Sequence, residues 1–277
     1  MNRRILFIGG DKRMLYARDI LGKRFCCDTL GLSEENAPPV GRYGCVILPF
    51  PASRDGQTIN APLSEKPLPL SAVGEYTAEG AVVFSGGIPE ELSRCGARLY
   101  DYSADETLTL QNAMLTAEAA AALLSQSTDG AVFGSSVLIT GYGRVARYTA
   151  KVLSALGAAV TVLARKEEQR ALARLDFHKA ADFSAAGELI SSADYVVNTV
   201  PARALSEQCL AQMKHGAVYM ELATFPAEPT KSLCERFGAL YIHAAGLPGR
   251  YSPKKAGKLI AQAILRAFEQ GAAAFDD

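Results

Sequence analysis

The sequence predicts an α/β protein of two domains, each a parallel sheet covered by helices. Three observations carry this. Short apolar runs alternate with helix-patterned stretches in two separate sets. A stretch from Glu106 to Gln126 without Gly or Pro, rich in Ala and Leu, separates the sets. The second set opens on Gly141-Tyr142-Gly143-Arg144-Val145-Ala146, a Gly-x-Gly-x-x-Ala turn between a strand and a helix. The 277 residues are enough for two ordinary domains.

In the first set, Ile5–Ile8 is a short apolar run ending at Gly9-Gly10, as a buried strand meets a turn. A helix follows with Met14, Ala17 and Leu21 on one face and Asp11 as its N-cap. The next strand ends at Asp28, and Cys45–Leu48, Ala81–Phe84 and Arg98–Tyr102 complete the set. Residues 49–80, rich in Pro, Gly, Ser and Asn, are expected to form a long functional loop with little regular structure. Leu110, Met114, Ala117, Ala121 and Leu124 recur at helical spacing, so residues 106–127 link a first domain (1–105) to a second (128–254). In the second set, Val137–Thr140 is a strand, and a helix from Arg144 to Leu156 shows Val145, Thr149, Val152, Leu153 and Leu156 on one face before Gly157 stops it. Val160–Leu163, Tyr195–Val197, Ala217–Glu221 and Leu240–Ile242 are further strands, with a charged helix from Lys166 to Leu175. The last helix, from about Lys255 to Gln270, is amphipathic through Leu259, Ile260, Ala263, Ile264 and Phe268.

Lys plus Arg and Asp plus Glu each number 29, so the formal net charge is zero. That balance argues against a surface for nucleic acid or anionic membrane, which need clustered positive charge. No apolar run reaches the ~18 residues of a membrane span, and the apolar start is too short for a signal peptide. The six cysteines form no CxxC pair and no zinc spacing, so no metal is expected. They fit reduced core residues in a cytoplasmic protein.

Gly141-Tyr142-Gly143-Arg144-Val145-Ala146 has the context that a dinucleotide site needs. A buried strand precedes it, a helix opens on it, and a second strand lies about 20 residues on. Gly141 permits the tight turn, Gly143 lets the backbone approach a pyrophosphate, and Ala146 lets the helix pack on the strand. The helix N-terminus offers N–H groups and a positive dipole end to the phosphates. The second strand ends Leu163-Ala164-Arg165-Lys166, with no carboxylate at the corner to bind a ribose 2′-hydroxyl. Arg165 with Lys166 suits a 2′-phosphate, which favours NADP while leaving NAD possible. Gly9-Gly10-Asp11 is a weaker rival, since it has no third small residue and Asp11 would repel phosphate.

Three strand-following segments are expected to line the ribose and nicotinamide. They are Asn198-Thr199-Val200-Pro201, Leu222-Ala223-Thr224-Phe225-Pro226 and Gly246-Leu247-Pro248-Gly249. Thr199, Val200, Pro201, Ala223, Leu247 and Pro248 are the candidate contacts. His178 and His215 stand in polar surroundings and are expected at the surface, whereas His243 ends a strand beside Gly246–Gly249.

The chain resembles the dipicolinate synthase A-subunit family of endospore-forming bacteria over almost its whole length. The resemblance rests on Ile8-Gly9-Gly10-Asp11, Ile47-Leu48-Pro49, Val83-Phe84-Ser85-Gly86, Gly141 to Arg144 and Asn198-Thr199-Val200-Pro201. Most specific is Gly246-Leu247-Pro248-Gly249 with Pro253-Lys254 and Ala256-Gly257. It implies an architecture similar to that of D-2-hydroxyacid dehydrogenases: a flavodoxin-like N-terminal substrate domain, a Rossmann domain, and a C-terminal helix (255–277) returning to the first domain. It implies oxidation of dihydrodipicolinate to dipicolinate with NAD(P)⁺ during sporulation, beside a flavoprotein-like B subunit, in a fold whose members are often dimers.

Oxidising a dihydropyridine removes a hydride and a proton, and aromaticity favours the product, so the enzyme mainly needs to orient the ring. The two ring carboxylates need cationic or N–H partners. With the nicotinamide expected at an interdomain cleft, Ser53, Arg54, Ser85, Gly86 and Asn112 are candidates from one side, and Arg250 and Lys254 from the other. Lys254 is poorly placed at a helix N-terminus unless an anion lies nearby. The base is Lys254 or His243. Two other functions fit the fold. A D-2-hydroxyacid dehydrogenase would need an Arg soon after Ala217–Glu221, where Leu222-Ala223-Thr224-Phe225-Pro226 stands instead. An NADP-binding, non-catalytic subunit would leave the chemistry to its partner.

Overall fold

The computed structural model describes residues 4–32, 40–127, 129–224 and 230–272. The chain divides into two compact units, Met1–Asn112 with Tyr251–Asp277, and Ala113–Arg250. The divisions fall at 112/113 and 250/251, where the sequence suggested a linking helix over 106–127 and a boundary at 254/255. The long helix spans the first of these divisions. Its start is tied to the first unit, where Asp105 accepts from the Leu108 N–H (2.8 Å) and pairs with Arg266 (2.7 Å). Its later turns bury Ala119, Ala120, Ala121 and Leu124 in the core of the second unit.

The first unit contains β1 (Arg4–Ile8), α1 (Lys12–Leu21), β2 (Cys26–Leu30), β3 (Tyr43–Ile47), α2 (Val73–Tyr76), β4 (Thr77–Ser85) and β5 (Arg98–Asp101). The strands are parallel in the order β2-β1-β3-β4-β5, the flavodoxin-like arrangement. Ile5, Leu6, Phe7, Val46, Ile47, Val83 and Phe84 are wholly buried, as central strands covered on both faces must be. The 49–80 stretch is more ordered than its composition suggested. Bridges join Ser53 to Ile59 and Thr58 to Pro69, and β4 already begins at Thr77. Gly80 (φ +71°) resembled a loop residue but lies inside β4.

The second unit runs from the later turns of α3 (Glu106–Ser127) through β6 (Ser136–Thr140), α4 (Arg144–Ala155), β7 (Ala159–Leu163), α5 (Glu167–Leu175), β8 (Lys179–Ala181), α6 (Ala186–Ser192) and β9 (Tyr195–Asn198). It continues with α7 (Glu207–Leu210), β10 (Val218–Glu221), α8 (Thr230–Arg236), β11 (Leu240–His243) and α9 (Leu247–Tyr251), and α10 (Pro253–Glu269) follows in the first unit. The six strands are parallel in the order β11-β10-β9-β6-β7-β8. Counted from β6, this is the doubly wound 3-2-1-4-5-6 order of dinucleotide-binding folds. Alternation along β6 feeds both layers: Val137 and Ile139 face the α3/α4 side, Leu138 the α6–α8 side.

Four local expectations are corrected. Met114 is exposed; the buried face of α3 is one residue round, at Ala113, Ala117, Ala120, Ala121 and Leu124. Leu156 caps α4 and is 46% exposed. Gly246–Gly249 is not a plain turn, because α9 begins at Leu247 and buries Leu247 and Pro248. His178 is buried, not at the surface: its Nδ1 lies 3.3 Å from Ser154 Oγ, and burial lowers its pKa. His215 is exposed.

Candidate functional site

In a doubly wound sheet the ligand crevice opens where strand order reverses, here between β6 and β9. Gly141, at the end of β6, has φ +83°, and its N–H donates to Leu163 O (2.7 Å). A Cβ there would come within 3.0 Å of Thr199 Oγ1 and Val200 Cγ2, so the turn and the β9 loop admit only glycine. Gly143 is different. It caps α4 with φ −80°, a value any residue adopts, and a Cβ on it would meet nothing within 4 Å. The fold itself does not require glycine at 143, and the open space is a cradle that a side chain would fill. α4 makes its first intrahelical bond from Arg147 N–H to Gly143 O (2.9 Å), so its first-turn N–H groups are directed toward the Gly143 end. Ala146 is fully buried under the helix. These features fit a dinucleotide pyrophosphate.

The equivalent turn of the first unit is filled by its own chain. A Cβ on Gly9 would meet Ile59 Cγ2 at 2.7 Å, and Gly10 N–H donates to Asn60 O (2.9 Å). Asp11 caps α1 through the Arg13 N–H (3.0 Å) and holds the Arg13 guanidinium, which also donates to Phe50 O (2.6 Å). Among the described residues no phosphate cradle is left there.

Along the carboxyl edge of the second sheet, Thr140, Asn198, Glu221 and His243 stand in register on neighbouring strands. The first three form one buried network. Asn198 Nδ2 donates to Val200 O (3.0 Å) and to both Glu221 oxygens (2.9 Å each). Its Oδ1 accepts from Val200 N–H (3.2 Å) and from the Thr140 hydroxyl. Thr199 Oγ1 donates to Thr140 O (2.7 Å), and Glu221 accepts the Ala223 N–H (3.0 Å). Desolvation raises the Glu221 pKa, partly offset by the Asn198 and Ala223 donors. The network fixes the loops that carry Thr199, Val200 and Ala223. Sequence reasoning alone misses Glu221 as a functional residue. Its one signal is a carboxylate ending the apolar run Val218-Tyr219-Met220.

The remaining cofactor candidates lie at the same edge. Arg165 and Lys166, between β7 and α5, are exposed; the Arg165 guanidinium lies 5.8 Å from the Phe183 ring centre and pairs with no carboxylate among the described residues. Val145 is half-buried in the first turn of α4, Arg144 and Pro201 are exposed, and Ala223, Leu247 and Pro248 are buried. The Tyr142 side chain points into the core and donates to Asp176 Oδ2 (2.8 Å), which leaves its backbone for a ligand. Phe225 and Pro226 lie outside the described residues.

Of the substrate candidates in the first unit, Ser85 and Gly86 serve the local backbone. Ser85 is buried and its hydroxyl donates to Gly87 O. A Cβ on Gly86 would strike Pro49 O at 2.5 Å. Together they seat the 50–54 segment, since Gly86 O accepts the Ala52 N–H (2.9 Å). Ser53 donates to Asp55 (3.0 Å), and exposed Arg54 to Asn60 Oδ1 (3.3 Å). Asn112 is half-buried, and Arg250 is exposed in the last turn of α9. Lys254, in the first turn of α10, lines a groove with Tyr16, Ile20, Lys23 and Lys258. His243 is exposed at the end of β11. Among the described residues no three His, Cys, Asp or Glu gather as a metal site, and no helix is long and apolar enough to cross a membrane.

Comparison with known proteins agrees with both halves. Residues 110–247 match the family model for the NAD-binding domain of D-isomer-specific 2-hydroxyacid dehydrogenases. Residues 4–102 match the model for the N-terminal domain of the dipicolinate synthase A subunits. The dipicolinate synthase A subunit of Bacillus subtilis (strain 168) is 26% identical over 94% of each chain. The crystal structure of its counterpart from Bacillus halodurans superposes with a TM-score of 0.84 at 24% identity, covering 96% of this chain and 97% of the other. The crystal structure of the Bacillus subtilis protein gives 0.82 at 25% identity, covering 98% of each. A D-2-hydroxyacid-dehydrogenase-type nucleotide-binding half joined to this N-terminal domain makes the chain, over nearly its whole length, similar to the dipicolinate synthase A subunits.

Proposed function

We propose that this chain is the NADP-dependent dehydrogenase component that oxidises dihydrodipicolinate to dipicolinate. The observation that carries the dehydrogenase reading is the open cradle at Gly143, in a turn where the fold has no need of glycine. Resemblance to dipicolinate synthase A subunits carries the substrate. Bound at this edge, NADP⁺ supplies the hydride acceptor. The chain's own residues hold the cofactor and the dicarboxylate and take up a proton. Arg165 and Lys166 take the 2′-phosphate. Arg54, with Ser53 beside it, and Arg250 and Lys254 hold the ring carboxylates, while Ser85 and Gly86 support the Ser53–Arg54 segment. Of the two base candidates, His243 stands in the polar row of the sheet edge and Lys254 does not, which favours His243. The setting is cytoplasmic, in a sporulating cell. The chain forms a homo-oligomer and works with a flavoprotein-like B subunit.

The test is reduction of NADP⁺ by freshly prepared dihydrodipicolinate, followed by the absorbance of the reduced cofactor. The wild-type chain alone should turn over. Gly143→Val should fold, lose nucleotide binding by calorimetry, and lose turnover with it. Wild-type affinity in Gly143→Val would remove this site. NADP binding without turnover by the chain alone would leave the chemistry to the partner.

A further inference from the structure

We infer that the buried Glu221 carboxylate makes this site select the oxidised over the reduced dinucleotide, by supplying the negative charge that a cationic nicotinamide ring needs. The inference rests on the dinucleotide site proposed above, and concerns what the sheet edge does to the ring's charge.

The hydrogen bonds favour the charged form of Glu221, against the desolvation that raises its pKa. Val200 N–H can only donate and Val200 O can only accept, so their bonds to Asn198 settle which amide atom is oxygen and which is nitrogen. Asn198 therefore presents its NH₂ to both Glu221 oxygens, and Ala223 adds a backbone N–H. Each of these partners is a donor. A protonated carboxyl would have to donate its own hydrogen, whereas these partners all donate to it, so the arrangement suits the carboxylate.

That carboxylate is 1% exposed, yet no Lys, Arg or His donates to it among the described residues. Residues 225–229, Phe-Pro-Ala-Glu-Pro, lie outside the described residues and carry no cation in their sequence. Other titratable groups around it are Tyr219 and Cys234, both neutral acids with pKa values raised by burial, and His243 in register on β11. Buried charges are normally paired, because removing an ion from water is costly. The missing counter-charge fits a ligand that brings a cation to this edge. Glu221 ends β10, one strand from the switch point, and its network holds the loops on which the nicotinamide is proposed to lie. The oxidised ring is cationic and the reduced ring neutral, so the carboxylate favours the first only. A dehydrogenase so built retains its oxidant and releases the reduced product.

The test is calorimetric titration of the whole chain with NADP⁺ and NADPH separately. Glu221→Gln should weaken NADP⁺ roughly tenfold more than NADPH, the scale of one unit charge at ~10 Å across an effective dielectric near 20, any loss common to both forms reporting the loosened loops. An equal loss for both forms would make Glu221 a scaffold residue and overturn the inference. Failure of the wild type to bind either form would instead overturn the dinucleotide site itself. If Glu221→Gln does not fold, the wild type decides. NADP⁺ binding lowers the Glu221 pKa, so lowering pH from 7 toward 5.5 should weaken NADP⁺ relative to NADPH, with proton release on binding NADP⁺ alone. The 2′-phosphate is common to both forms and cancels. Parallel pH profiles without differential proton release would overturn the inference.

Discussion

Gly143 and Arg165 show how single residues separate what the fold needs from what a ligand needs. Gly141 is glycine for internal reasons, since positive φ and the approach of Thr199 and Val200 exclude a side chain. Gly143 has neither constraint, and neither does exposed Arg165, whose charge is matched by no carboxylate among the described residues while neighbouring Arg170 and Arg174 pair with Glu167. A guanidinium beside Phe183 at the corner after β7, with no carboxylate paired to it among the described residues, suits a 2′-phosphate. Arg165→Ala should weaken NADP binding by about 1.5–3 kcal/mol, the range for a hydrogen bond to a charged group, and barely change NAD. Tighter binding of NAD than NADP by the wild type would refute the role given to Arg165.

At the scale of elements, Asp176 locks the glycine turn to the C-terminal end of α5. It accepts from the Tyr142 hydroxyl (2.8 Å) and from Arg147 Nε (2.6 Å), with Lys151 at 3.4 Å. The Arg147 hydrogen bond, helped by Tyr142, holds the Asp176 pKa down to about 2. A carboxyl whose folded pKa is depressed stabilises the fold above its unfolded value of ~3.9, and that contribution disappears as pH falls through the folded value. Asp176→Asn should therefore cost about 1 kcal/mol at pH 7, kept small because Arg147 is partly solvated, and the difference from wild type should vanish near pH 2. Urea unfolding at the two pH values checks it; an equal deficit at both would mean that charge is not the cause. Neither Tyr142 nor Asp176 advertised this clamp, since the partners lie 34 residues apart. What was legible in the sequence is what local periodicity encodes: the buried apolar strands, the long helix and the glycine turn. Edge strands were harder to see. β2, read from the sequence as ending at Asp28, is half-buried and runs on through Thr29 to Leu30, and β8 is three residues long. α9 carries Pro248 and Gly249, weak helix formers in isolation, and forms because Leu247 and Pro248 are buried against the rest of the unit. His178 looked polar from its neighbours because burial there comes from α4 and Tyr142, not from its own segment.

At the scale of the whole molecule, the chain leaves the first unit within α3 and returns at Tyr251, so the first unit is closed only when α10 docks. Three features secure that docking. Arg266 pairs with Asp105 at 2.7 Å. Phe268 packs edge-on against Phe25 and Phe84, at ring-centre distances of 5.3 and 5.0 Å. Gly257 lets α10 lie against α1, where a Cβ would approach Arg13 O at 2.3 Å and Tyr16 Cβ at 2.8 Å. The first of these neighbours is backbone inside a helix and cannot yield cheaply, unlike the end of a flexible side chain. Gly257→Val should force α10 off α1 and destabilise the first unit by at least the ~1–3 kcal/mol typical of overpacking. The second unit has its own sheet and core, so its stability and its nucleotide affinity should be nearly unchanged. Scanning calorimetry would resolve a transition shifted down for the first unit beside an unshifted one for the second, while calorimetric titration returns wild-type NADP affinity. A single transition shifted as a whole, with nucleotide binding lost alongside, would show that the first unit's closure governs the folding of the entire chain.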